Sequence, residues 1–232
     1  FCFMAVLPGS PEEALVTAAR DRKAHIFGCE GHAIYQSSAA QYQKWSNGQS
    51  TLVNTAIFIQ VWEQVRQDGQ YLVHDWTVKV DADCVFFPAR LRSHIQKLSP
   101  PAYRKIYLTN TLPKYTLGGF LGAIEILSKQ AVESYLDNSE SCQKYIGLTS
   151  GEDGFLKDCL DALGVHAMHD EAILHPDPVA VSCQVGAFVA FHPLKSQSDW
   201  IYCYDIAAGN IAAPPLPLAI RDALPESVKA TM

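Results

Sequence analysis

Two carboxylates, Asp81 and Asp83, are separated by a single alanine and follow the run Trp76-Thr77-Val78-Lys79-Val80. Val78 and Val80 alternate with Thr77 and Lys79, and the run reads as a buried strand that ends in two acids. In an extended chain residues i and i+2 point the same way, so both carboxylates are expected on one side at the strand's end. Two such groups repel each other when they close up, and a divalent cation that takes oxygen ligands relieves the repulsion. The alternative is a solvated turn.

The wider run Trp76 to Val85 resembles the Trp-x-x-Lys-x-Asp-Asp-Asp-x-x-Val segment of the inverting β1,3-glycosyltransferases, the fringe and core-1 galactosyltransferase group with the GT-A fold. Ala82 stands where that group has its middle acid. Three later segments follow in the family's order. They are Gly118-Gly119-Phe120 with Leu127-Ser128-Lys129-Gln130-Ala131 after it, Glu152-Asp153 followed by Lys157-Asp158-Cys159-Leu160, and Phe191-His192-Pro193.

The resemblance implies an α/β, GT-A-like single domain, its mostly parallel central sheet flanked by helices. It implies Asp83 and His192 as direct ligands of Mn²⁺ or Mg²⁺, with Asp81 binding directly or through water and touching a ribose. An imidazole in the set favours Mn²⁺. Asp153 inherits the role of general base, with Glu152 beside it raising its basicity. Gly118, Gly119 and Phe120 would border the acceptor, although a Gly-Gly pair also serves tight packing. Lys195 could meet a β-phosphate as a point charge. The implied reaction moves a sugar from a nucleoside-diphosphate sugar, a UDP-sugar by preference, to a hydroxyl of a glycan or protein, with inversion. Three rivals stand beside it: a retaining transferase, a nucleotidyltransferase, and a carbohydrate- or protein-binding relative without activity. Leu7-Pro8-Gly9-Ser10-Pro11 lacks the basic loop usual in a nucleotidyltransferase.

The elements that must position these residues are legible in outline. Phe1 to Leu7 reads as a strand, Ser10-Pro11-Glu12-Glu13 as a helix start, and Ala24 to Cys29 as a second strand. Strand, helix, strand opens a parallel sheet, whose ligands bind beyond the carboxyl ends of the strands. That makes Pro8 and Glu30 candidates for holding a base and ribose. Tyr35 to Ser50 reads as a polar loop, and Thr51 to Gln67 as a helix closed by Gly69. Helices are expected at Pro88 to Leu98, after Ser128, and from Glu152 to Gly164. The Gly-rich stretch from Thr116 and the run Val185 to Phe191 read as strands. His166 to Glu171 reads as a polar rim, and residues 211–232, with four prolines, as an extended tail outside a 1–210 catalytic domain.

Composition narrows the class. With 232 residues, 48% hydrophobic, the chain suits one globular domain. A net charge of −6 without a basic cluster argues against a nucleic-acid partner. No apolar run reaches the ~20 residues of a membrane span. The chain begins at Phe1 and reads as an excised luminal domain of the secretory pathway, the Golgi above all, whose membrane link lies in a segment not included. Seven cysteines fit two or three disulfides in an oxidising compartment and leave at least one thiol over.

Overall fold

Strand β1 (Cys2–Val6) and helix α1 (Glu12–Asp21) form where the apolar run and the acidic helix start place them. At the helix start Ser10 Oγ accepts from the Glu12 N–H (3.3 Å). Glu12 and Glu13 reach back and accept from the backbone N–H groups of Leu7 (3.2 Å) and Gly9 (2.9 Å). A computed structural model describes residues 1–44, 50–101, 103–112, 117–149, 151–176, 178 and 180–232. The second strand expected at Ala24 to Cys29 is instead a 3-10 turn, His25–Gly28, because Lys23 and His25 take positive φ values of 49° and 58° that break an extended path. Strand β2 (His32–Gln36) follows it.

The polar segment read as a loop contains an antiparallel hairpin, β3 (Gln41–Lys44) and β4 (Ser50–Val53). Backbone pairing needs no apolar side chains, so composition hid it; residues 45–49 lie outside the described residues. Helix α2 (Thr55–Asp68) then closes on Gly69 at φ 68°. Strand β5 (Trp76–Val80), the short β6 (Val85–Phe86), α3 (Pro88–Leu98) and β7 (Ile106–Thr109) follow. The Gly-rich stretch is a 3-10 turn at Leu117–Gly119, with two glycines at positive φ, rather than a strand. Strand β8 (Ile124–Ser128) runs straight into α4 (Lys129–Ile146), whose Ser128 cap accepts from the Ala131 N–H. Then come α5 (Glu152–Ala162), β9 (His166–His169), β10 (Leu174–Pro176), β11 (Ala190–His192) and α6 (Gln197–Ala207). Of the strand expected at Val185 to Phe191, the first residues are turns and the last two belong to β11.

Six strands form the main sheet in the order β2-β1-β5-β8-β7-β9. Strand β8 is antiparallel to both neighbours, and every other pairing is parallel. The layers are a sheet with apolar clusters on both faces. Val78, Val80, Ile124 and Ile126 point to one, and Phe3, Tyr107 and Leu127, under α2, α4 and α5, to the other. A small sheet, β10-β11-β6, lies beside it over a third cluster with α1 and α6.

Three disulfides staple this frame: Cys2–Cys29, Cys142–Cys159 and Cys183–Cys203, with Cys84 a buried free thiol. The Cys142–Cys159 bond joins α4 to α5. No helix among the described residues is long and apolar enough to cross a membrane.

The proline-rich segment does not stay outside the core. Its helices α7 (Leu218–Ala223) and α8 (Glu226–Lys229) bring Leu224 and Val228 into the third cluster, at 6% and 0% exposure. Two well-spaced apolar residues suffice for docking, and the prolines masked them. Leu224→Ala is expected to cost about 2–5 kcal/mol in urea unfolding, as for other buried Leu→Ala changes; a free tail would give no loss.

Candidate active site

The site is assembled at the carboxyl end of β5. That strand stops at Val80, and Asp81 to Cys84 form a turn closed by the Cys84 N–H donating to the Asp81 carbonyl (3.0 Å). The acids are thus neighbours through a turn, not through the alternation of an extended strand. Five bonds fix this turn. The Asp81 N–H donates to the Ala123 carbonyl (3.0 Å), and the Leu194 N–H to the Asp83 carbonyl (2.8 Å). The buried Trp200 indole donates to the Cys84 carbonyl (2.8 Å). His25, fully buried, accepts from the Ile26 N–H at Nδ1 (2.8 Å), so its proton sits on Nε2 and is donated to the Asp81 carbonyl (3.1 Å). Burial lowers the His25 pKa to about 4, which keeps this ring neutral.

His192 arrives by strand register. Strand β11 pairs antiparallel with β6, Ala190 opposite Phe86 and Phe191 opposite Val85. Continuing that register brings His192 beside Cys84 and Asp83, and His192 Nε2 lies 3.3 Å from Asp83 Oδ1. Ligand atoms of Asp81, Asp83 and His192 all fall within 4.8 Å of one another. Two carboxylates and an imidazole, each part-exposed, are a donor set that fits a divalent cation. Burial pushes the Asp83 carboxyl up, but the His192 hydrogen bond and the charges of His192 and Lys195 outweigh it and hold it below its ordinary value.

The opposite wall comes from α5. Its first residues, Glu152 and Asp153, face the β7–β8 connection, which approaches closely because residue 122 is glycine. A Cβ there would fall 2.8 Å from Glu152 Oε1 and 3.1 Å from Asp153 Cβ. Asp153 accepts from two backbone N–H groups, Gly122 at Oδ2 (3.2 Å) and Gly154 at Oδ1 (2.8 Å). Burial and then the Glu152 charge raise its pKa despite those bonds. Glu152 is tied up more fully. Asn54 accepts from its N–H (2.9 Å) and donates to Oε2, while Lys79 Nζ lies 3.1 Å from Oε1. Asp153 is therefore the carboxylate left to act on something else.

One cavity of about 610 Å³ joins both walls, lined by Asp81, Asp83, His192, Lys195, Glu152 and Asp153 among others. Glu12, Asn54, Leu121 and Gly122 line it too, none of them singled out from sequence. Glu12 could have been found as an acid just past β1; burial and the charges of Asp81 and Asp83 raise its pKa, against the bond from the Leu7 N–H. Other sequence candidates are not brought to the cavity. Pro8 is exposed, and Leu7 takes its place. Glu30 is exposed and paired with Arg92 (2.7 Å), beside a separate cavity. Phe120 is buried in the core against Tyr107, and a Cβ on Gly119 would meet the Thr111 carbonyl at 2.7 Å. That glycine pair serves protein packing, and the wall is built one step later, at Leu121 to Ala123.

Beneath the site sits a charge cluster in the sheet. Lys79 and Glu125, opposite each other on β5 and β8, are both fully buried. Among the described residues neither oxygen of Glu125 has a hydrogen-bond partner. Burial raises its pKa well above normal, more than the Lys79 charge lowers it, so Glu125 stays protonated. The unfolded chain ionises Glu125 from about pH 4.5 upward while the folded chain holds the proton. Stability is therefore lost as pH rises from there toward the folded pKa. Glu125→Gln removes that slope, so its melting temperature should gain on the wild type between pH 5 and pH 8. A gap that moves the other way would mean an ionised Glu125.

No family model matches the sequence, and no curated protein matches it either. Solved structures do match in fold. A glycosyltransferase involved in glycosylation of the major capsid of PBCV-1 aligns with TM-score 0.52 at 11% identity, over 88% of this chain and 98% of its own. The catalytic domain of Drosophila β1,4-galactosyltransferase 7, in complex with xylobiose, gives 0.41 at 12% identity over 74% and 64%. The galactosyltransferase LgtC, in complex with donor and acceptor sugar analogues, gives 0.45 at 9% over 92% and 97%. The chain has a GT-A-like α/β fold. At these identities the likeness speaks to the fold alone.

Proposed function

We propose that the chain is a metal-dependent glycosyltransferase that moves a sugar from a nucleoside-diphosphate sugar, a UDP-sugar by preference, to a hydroxyl of a glycan or protein, with inversion. One observation carries this reading: a single cavity at the carboxyl edge of a GT-A-like sheet holds a metal-type donor set on one wall and a poised carboxylate on the other. Asp81, Asp83 and His192 are the residues that would hold Mn²⁺ or Mg²⁺, and the imidazole favours Mn²⁺. A cation held there supplies positive charge to the diphosphate as it departs. Lys195, exposed on the same wall, adds a second positive charge.

Asp153 takes the proton of the acceptor hydroxyl while the acceptor oxygen bonds to the anomeric carbon from the face opposite the diphosphate. The carbon–oxygen bond to the diphosphate breaks, and the nucleoside diphosphate leaves. A raised pKa makes Asp153 a better proton acceptor than a free carboxylate, and its two backbone donors hold it in place. Three disulfides suit an oxidising compartment such as the secretory lumen, with the Golgi the proposed site of action.

The test is incubation with a panel of nucleotide sugars, Mn²⁺ and simple glycoside acceptors, followed by NMR of the product. Product with the anomeric configuration opposite to the donor's is expected. Retained configuration would remove Asp153 from the role of base and leave the metal site standing. No turnover of any donor, with metal and diphosphate still bound, would favour a binding protein of this fold.

A further inference from the structure

The fully buried ammonium of Lys79 spans the two walls of the site. Its Nζ lies 2.8 Å from Asp81 Oδ1 and 3.1 Å from Glu152 Oε1, and it donates to the Gly122 carbonyl at 2.6 Å. Three N–H donors meet three acceptors, which exhausts the ammonium's capacity. The ring of Phe58, 4.5 Å away, covers another side. No N–H is left for Glu125, the cross-strand neighbour, so the lysine's charge is divided between one acid of the metal-type set and one acid of α5. Its attachment to Gly122 reaches the same glycine whose N–H holds Asp153. An exposed ion pair contributes little, but here the ammonium itself is at 0% exposure, with Asp81 and Glu152 at 32% and 14%, so the lysine has no water to take in place of these partners.

We infer that Lys79 is a positioning residue that couples the metal-side acid Asp81 to the acceptor-side acid Glu152, so that the two walls are set by one group and not independently. This rests on the transferase reading of the site. It has a consequence that a merely structural lysine lacks. When Glu152 loses its charge, the ammonium turns wholly to Asp81 and competes there with a metal ion. Glu152, which is not among the metal-type ligands, should then control metal affinity through Lys79.

The experiment is a double-mutant cycle on Mn²⁺ affinity in the presence of UDP, read by calorimetry and needing no turnover. Glu152→Gln is expected to weaken Mn²⁺ about fivefold or more in the wild-type background and less than about twofold in Lys79→Met, the coupling range of residues in one network. Direct attraction between Glu152 and the metal is common to both backgrounds and cancels. Equal losses in the two backgrounds would overturn the coupling. A wild-type chain that binds no Mn²⁺ with UDP would overturn the transferase reading itself, a different result.

Lys79→Met leaves two acids short of their cation and could fail to fold. A second measurement therefore uses the wild type and Glu152→Gln, with lysine ¹⁵N NMR and diamagnetic Mg²⁺ with UDP. The Lys79 ammonium resonance should move on addition of Mg²⁺ and UDP, and Glu152→Gln should change the size of that movement. A resonance indifferent to either would overturn the inference.

Discussion

Asp153→Asn should lower turnover by ~10²–10⁴-fold, the usual worth of a positioned general base, while leaving Mn²⁺ and UDP binding within about twofold of wild type. The substitution is isosteric but its amide keeps only one oxygen, so one of the two bonds from Gly122 and Gly154 is lost, while the Cys142–Cys159 bond still fastens α5. The ability to accept a proton goes, and with it one backbone bond. Single-turnover kinetics at saturating donor separate the two effects, because a base acts on the chemical step and not on donor affinity. A parallel loss of donor binding would make Asp153 a wall residue. Full activity would move the reaction to a retaining course, in which no base is needed at that place. The Glu152 neighbour supplies a control: held by Asn54 and Lys79, it should not substitute for Asp153 when the latter is removed.

The second large effect is expected from Asp83→Ala. This residue contributes a carboxylate that His192 already holds at 3.3 Å, and its backbone carbonyl, not its side chain, anchors Leu194. Removing the carboxylate therefore spares the turn and empties the donor set of one charged ligand. Changing only the hydrogen-bond partners of metal ligands costs ~10–100-fold in metal affinity, so loss of a ligand should exceed about 100-fold. Mn²⁺ affinity in the presence of UDP, measured by electron paramagnetic resonance of the free ion, reads this directly. An unaltered affinity would place the ion elsewhere. Asp81→Ala is a less clean test, since it also strips the buried Lys79 of a partner.

Much of this site was legible in the chain, and the reasons it stopped being legible are physical. Asp81, Asp83, His192, Lys195, Glu152 and Asp153 lie scattered over about half of the sequence, yet one cavity gathers them. Strand ends in a parallel sheet collect at one edge, so residues just past apolar runs can be picked out without knowing the loops between them. The geometry of the two acids was read from strand alternation, but they meet through a hydrogen-bonded turn. Their spacing served either way.

What the sequence hid were residues whose roles depend on packing. Lys79 read as the polar half of an alternating strand, yet it is fully buried, because the face it points to is roofed by α2 and α5. Period two gives only the side a residue faces, not what covers that side. Glu125 was hidden for the same reason. Gly118 and Gly119 drew attention as a pair, whereas the glycine the site needs is the single Gly122, whose importance lies in the approach of α5 from a distant part of the chain. Glu30 looked well placed at the end of an expected strand; a 3-10 turn occupies that place, and Arg92 takes its charge.

The decisive measurement is a thermal-shift titration of the wild-type chain with UDP, GDP, ADP and CDP, each with and without Mn²⁺. A ligand that binds only the folded state at one hundred times its Kd adds roughly 2.7 kcal/mol of stability. At about 2–4 °C per kcal/mol for a chain of this size, that is a rise of about 5–10 °C. The expected result is such a rise with one diphosphate, UDP, only when Mn²⁺ is present. No rise with any diphosphate, with or without metal, would contradict the assignment of this cavity to a nucleotide-sugar donor.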